Sequence, residues 1–251
     1  MTGIVGAIVF LTRIPVRTSR SLDTARSVPW FPTVGLLIGA IVGGIAALLE
    51  PWSSPFVAAG VAIVAGLLVT GAFHEDGLGD VADAFVGGWT REDRLRILKD
   101  SRHGTYGVVA LVSSVALRIV ALGALVEIGP KVAFAAAVAA HGAARAGAVS
   151  SMTVARPATD EGLGSEYVAR IRRGHCSIGI FATGIFVTAL VGWWISLVIA
   201  AVVAATSTIT WWSHRKIGGV SGDVLGAIEQ CGEIAVFVVL SIVATHHQLW
   251  W

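Results

Sequence analysis

The chain has 251 residues, 55% hydrophobic and 14% charged, with a mean hydropathy of +0.78. A soluble domain carries roughly 25% charged residues, so a water-soluble globular domain is excluded. A net charge of +2 gives no basic surface for nucleic acid, and the two cysteines, Cys176 and Cys231, have neither metal-site nor disulfide spacing.

The apolar stretch from Gly3 to Leu11 is too short to cross a bilayer, and it lacks the basic flank and cleavage site of a signal peptide. It predicts a short interfacial or re-entrant helix. Apolar runs then predict spans at about 33–50, 56–73, 105–127, 132–150, 178–192, 195–212 and 231–250. The fold expected is all-α: one membrane-embedded domain over 1–251, a polytopic bundle of about seven transmembrane helices. Tandem tryptophans at 193–194, 211–212 and 250–251 suit a membrane interface.

Long polar loops at 13–32, 74–104, 151–177 and 213–230 hold four, five, four and two Lys or Arg. Basic loops stay cytoplasmic, so all four loops are expected on the cytoplasmic face of the inner membrane. On the first span Gly35, Gly39 and Gly43 form a flat face suited to close helix packing. That face permits a homo-oligomer without requiring one.

The second span runs into "GAFHEDGLGDVADAFVGG" at 71–88, with four carboxylates and no Lys or Arg. If the helix continues, Asp76, Asp80 and Asp83 fall within an arc of about 60°. Such a stripe repels itself unless a cation sits in it, and Mg²⁺ commonly binds a few carboxylates together with substrate phosphate oxygens. Glu75 points off the stripe, as an outer partner or a solvated residue. The alternative for the cluster is a solvated acidic helix end.

In "REDRLRILKDSRHGTYG" at 91–107, Lys99, Arg102 and His103 precede a Gly-Thr-Tyr-Gly turn whose backbone N–H groups, including that of Gly104, suit phosphate oxygens. Ordinary anchoring charge accounts for the same residues. Arg145 is expected near the cytoplasmic end of the fourth span, one turn after His141. Arg118 lies nearer mid-membrane, as a functional residue or an ion-pair partner. Asp223, in a glycine-rich turn, is a further metal ligand or a helix N-cap, with Glu229 and Glu233 one turn apart beyond it. Acid for a metal and base for phosphate on one loop point to phosphoryl transfer.

Six blocks resemble the cobalamin synthase family, adenosylcobinamide-GDP ribazoletransferase. They are "FLTRIPV" at 10–16, "WFPTVGLLIG" at 30–39, "GAFHEDGLGDVADAF" at 71–85, "KDSRHGTYG" at 99–107, "EGLG" at 161–164 and "GGVSGDVLGA" at 218–227. The family usually has Pro-Tyr before the arginine of the third loop, whereas Val154-Ala155 precede Arg156 here.

The resemblance implies a Mg²⁺-dependent step in which adenosylcobinamide-GDP reacts with α-ribazole or its 5′-phosphate and GMP leaves. The attack is expected from the 5′-hydroxyl of α-ribazole, or from the 5′-phosphate of its phosphorylated form. Asp76, Asp80 and Asp83, with Glu75 and Asp223, are the expected metal ligands. Lys99, Arg102 and Arg145 are expected on the diphosphate or leaving GMP, and Asp83 or His103 as base. Gly104, Arg156, Glu161 and Gly162 are expected to contact substrate.

Two other classes fit parts of the pattern. A CDP-alcohol-type phosphotransferase also carries spaced aspartates on a membrane helix, but usually with Ala-Arg soon after its Asp-Gly pair; here Leu78-Gly79-Asp80 follow. A cation transporter favours ionisable residues near the midplane, and here most are expected at the cytoplasmic mouth.

Overall fold

In hydrocarbon every backbone polar group needs an internal partner, which leaves helices as the spanning element for these apolar segments. The computed structural model describes residues 2–17, 23–159 and 171–247. Among them the helices are α1 (Thr2–Leu11), α2 (Thr24–Ser27), α3 (Phe31–Leu49), α4 (Pro55–Thr70), α5 (Phe73–Ala82), α6 (Arg91–Ile97), α7 (Thr105–Ile128), α8 (Pro130–Val154), α9 (Arg173–Val191), α10 (Ile195–Ile217) and α11 (Gly222–His246). Local chemistry sets several starts. Ser54, Thr90 and Ser221 cap α4, α6 and α11 by accepting the backbone N–H of Val57, Asp93 and Val224.

The alanine-rich α8 is the hub, packed against α3, α7, α9, α10 and α11. Its small side chains let neighbouring backbones approach closely. The glycine face of α3 is used here, inside the chain. A Cβ at Gly39 would lie 2.5 Å from the Ala137 carbonyl oxygen, and one at Gly43 2.8 Å from Phe134 Cα.

Among the described residues five helical runs are long and apolar enough to cross a membrane, or six if α4 and α5 count together. Seven were expected. The difference lies in Arg173–Ile217, which by length and composition is one run of 45 residues. The chain turns inside it at Gly192 (φ +60°), and α9 and α10 line a common groove against α8.

The second span also departs from expectation. Its helix does not continue past Phe73: Gly71 and Ala72 are both left-handed (φ +68° and +55°), and α5 leaves α4 at 93°. Glycine tolerates that conformation; alanine rarely adopts it. The freed groups are re-paired, with Arg13 N–H on the Val69 carbonyl at 2.7 Å and Ala72 N–H on that of Leu67 at 3.0 Å. Beyond the break α5 runs antiparallel to the first turns of α11. Gly77 permits this approach, because a Cβ there would lie 2.8 Å from the Asp223 carbonyl oxygen.

Candidate active site

Asp76 and Asp80 project from α5 one turn apart, and His103 reaches them from the loop before α7. The His103 ring stands between the two carboxylates, with Nε2 3.5 Å from Asp76 Oδ1 and Nδ1 3.4 Å from Asp80 Oδ1. One ligand atom from each of the three lies within 4.8 Å of the others. Among the described residues no Lys or Arg pairs with either aspartate. Gly79 keeps room for the ring, since a Cβ there would lie 3.1 Å from His103 Cε1.

Asp83 does not share that stripe. The backbone widens into a π-helical turn over Asp83–Gly87, and the Asp83 carboxylate instead caps α7. Its Oδ2 accepts Gly104 N–H at 2.6 Å and its Oδ1 accepts Gly107 N–H at 2.9 Å. A carboxylate at a helix N-terminus satisfies orphan donors and complements the helix dipole. The turn expected to cradle substrate phosphate therefore already holds an anion, and the Gly104 N–H is taken.

The basic residues separate. Lys99 lines a cavity of about 310 Å³ together with Asp76, Asp223 and Arg145, and makes no ion pair among the described residues. Arg102 is turned back on its own loop. Its Nε and Nη2 donate to Asp100 at 3.0 and 2.9 Å, and these bonds hold the Asp100 carboxyl down to about 2. Arg156 is exposed; its carbonyl accepts Val220 N–H at 2.8 Å, tying the third polar loop to the fourth. Asp223 sits in the first turn of α11 behind its true cap, Ser221, whose hydroxyl donates to it at 3.3 Å. Glu161 and Gly162 lie outside the described residues.

Below the cavity lies a network for which the sequence had suggested only fragments. Arg145 is buried mid-helix in α8 rather than near its end, within reach of Glu229 (2.6 Å) and Glu233 (3.0 Å). Glu233 also pairs with His141 and with Arg118 (3.1 Å). Arg118 holds the buried Glu75 at 3.0 Å, so Glu75 is neither solvated nor at the aspartate cluster. Ser114 donates to Gln230 and Gln230 to Glu229, at 3.1 and 2.9 Å. Most ionisable residues were expected at the mouth, with Arg118 nearer mid-membrane; α7, α8 and α11 together carry a larger buried charged group near their middles. These side chains pair with one another, as charge must where water is absent. The i, i+4 carboxylates Glu229 and Glu233, in an otherwise apolar helix, were the signal for it.

Fold and site define a multi-pass helical membrane protein with a carboxylate–imidazole cluster beside a cavity lined by a lysine that makes no ion pair among the described residues. The chain belongs to the cobalamin-5-phosphate synthase family, whose model matches residues 3–241, and so to the transferases of cobalamin biosynthesis. It is 42% identical over 245 residues to an adenosylcobinamide-GDP ribazoletransferase of Bradyrhizobium diazoefficiens, covering 92% of this chain and 89% of that one. The enzyme of the same name from Shewanella frigidimarina is 38% identical over 246 residues, covering 93% and 92%. That of Shewanella piezotolerans is 33% identical over 242 residues, covering 94% and 93%. No solved structure matches the chain.

Proposed function

We propose that the chain transfers the cobinamide phosphate group from adenosylcobinamide-GDP to α-ribazole or its 5′-phosphate, releasing GMP, with Mg²⁺ as cofactor at the cytoplasmic face of the inner membrane. The observation that carries this is the meeting of Asp76, Asp80 and His103 within 4.8 Å beside a cavity that holds Lys99.

A ribose hydroxyl of the acceptor attacks the phosphorus that bears cobinamide, and the bond from that phosphorus to the GMP oxygen breaks. The family description is of a cobalamin 5-phosphate product. The 5′ position can therefore keep its phosphate through the reaction, and a different ribose hydroxyl is the nucleophile. This replaces attack from the 5′ end. A hydroxyl nucleophile must lose a proton. Asp83 is ill suited to take it, since both its oxygens already accept backbone N–H groups. His103 is the better base, its ring oriented by a carboxylate on either side.

Asp76 and Asp80 fit a hard divalent cation: close, oxygen-bearing and unpaired with any described Lys or Arg. Bound there, Mg²⁺ supplies charge neutralisation of the diphosphate. Lys99 stabilises the developing charge on the departing GMP. Asp223, lining the same cavity, completes its acidic wall.

The test is to supply membranes containing the protein with adenosylcobinamide-GDP and α-ribazole and to measure GMP release across a Mg²⁺ titration, for wild type and Asp80→Asn. The variant should need more Mg²⁺ and lose at least tenfold in rate. Unchanged metal dependence in Asp80→Asn removes Asp80 from the site, and equal turnover of CDP-alcohol substrates by wild type favours that other class.

A further inference from the structure

The cavity beside the aspartate cluster has three chemically distinct zones. Its wall is aromatic and aliphatic. Phe10 stacks on Phe31 (ring centroids 5.3 Å apart, 3° between planes), and Phe73 meets Phe10 edge-on at 5.3 Å and 80°. Leu98 and Met152 are also among its lining residues. Its floor is polar and at least nine-tenths buried: among the described residues Arg145 Nε has no hydrogen-bond partner, and His74 Nδ1 has none closer than Glu229 Oε2, 3.7 Å away. Its third zone is charged. Asp76 belongs both to the lining and to the Asp76–Asp80–His103 group, and Lys99 lines the same cavity.

We propose that this chamber seats the flat aromatic base of the nucleoside acceptor and excludes the corrinoid donor; the inference rests on the function proposed above. A volume of about 310 Å³ lies at the low end of the roughly 300–1,000 Å³ typical of small-molecule pockets. It suits a nucleoside and not a corrin macrocycle. Aromatic and aliphatic side chains match the faces of a bicyclic base. Buried polar atoms without hydrogen bonds are costly, and polar atoms on the edge of a heterocycle supply the bond that Arg145 Nε lacks and that His74 Nδ1 does not make across 3.7 Å to Glu229. With the base on the floor, the ribose lies at the level of Asp76, where the attacking hydroxyl is needed. A 5′-phosphate is then near Lys99. The donor approaches from the solvent side, where the Asp76 side chain is 68% exposed.

The experiment uses the full-length protein in detergent with α-ribazole and adenosylcobinamide-GDP as separate probes. Met152→Trp fills the chamber from α8. It should raise the KM for α-ribazole at least tenfold, abolish calorimetric binding of α-ribazole alone, and leave the KM for adenosylcobinamide-GDP within twofold. A rise in the donor's KM with α-ribazole binding intact overturns the assignment. Should that variant not fold, hydrogen exchange on the wild type decides. α-Ribazole alone slows exchange over residues 91–99 and adenosylcobinamide-GDP alone does not; the opposite pattern overturns the proposal. Neither binding measurement needs turnover, so a wild type that binds α-ribazole but releases no GMP refutes the proposed reaction and not the seat.

Discussion

Arg118 donates to Glu75 across 3.0 Å, joining the middle of α7 to the start of α5 with both side chains buried. The same guanidinium reaches Glu233 at 3.1 Å. Arg118 thus holds the aspartate-bearing helix against the bundle at a place where the chain has just broken at Gly71 and Ala72. Truncating one partner of a buried pair leaves an uncompensated charge, which costs about 3–5 kcal/mol. Arg118→Met strands two carboxylates and should fall at the upper end of that range. Glu75→Gln keeps an acceptor for Arg118 and should cost only about 1–2 kcal/mol. Denaturant unfolding in detergent measures both.

Asp83 is assigned to stability rather than metal binding. Asp83→Ala removes two backbone hydrogen bonds from the N-terminus of α7 and should cost about 1–3 kcal/mol. Asp76→Asn and Asp80→Asn should leave the melting temperature near that of wild type while shifting the Mg²⁺ requirement. Melting curves and metal titrations on the three variants separate the roles. An Asp83→Ala protein as stable as wild type would falsify the capping role.

These two contrasts show where the sequence was legible. Spans with uniform apolar character were located to within a few residues: α7 was expected at 105–127 and runs Thr105–Ile128. α11 was expected to begin near 231 and begins at Gly222. Asp223, Glu229 and Gln230 fell in the polar loop expected before that span, and the partners of Glu229, Gln230 and Glu233 are on α5, α7 and α8. The nearness of Asp76 and Asp80 was legible from charge spacing; the departure of Asp83 and the arrival of His103 were not. The cluster's geometry was not, because periodicity assumes a continuous helix and the chain inserts a 93° break before Asp76 and a π turn at Asp83. Arg102 and Lys99 are equivalent in sequence; only the position of Asp100 in space tells them apart.

Gly77 is where α5 touches α11. A Cβ there would lie 2.8 Å from the carbonyl oxygen and 2.9 Å from the Cα of Asp223, and backbone cannot yield as a side chain does. Gly77→Ala should destabilise by about 1–3 kcal/mol through overpacking and push Asp76 away from Asp223. Gly60→Ala, in open space on α4, is the control and should be neutral or slightly stabilising through helix propensity. Paired unfolding curves test the contrast.

Lys99 and Arg102 give the sharpest test of the electrostatics. Lys99 lines the cavity with no ion pair among the described residues, whereas Arg102 is committed to Asp100 and its side chain is 86% exposed. Removing a cation that acts on transition-state charge typically costs about 2.7–4 kcal/mol, or roughly 100- to 1,000-fold. Lys99→Ala should approach the lower figure in kcat, with little change in the KM for α-ribazole. Arg102→Ala should cost less than about threefold, because an exposed ion pair contributes only about 0–1 kcal/mol. Lys99→Arg keeps the charge but changes its shape and reach, so it should recover part of the rate. Steady-state GMP release by the three variants reads this directly. Equal losses in Lys99→Ala and Arg102→Ala would mean that Arg102 leaves Asp100 when substrate binds.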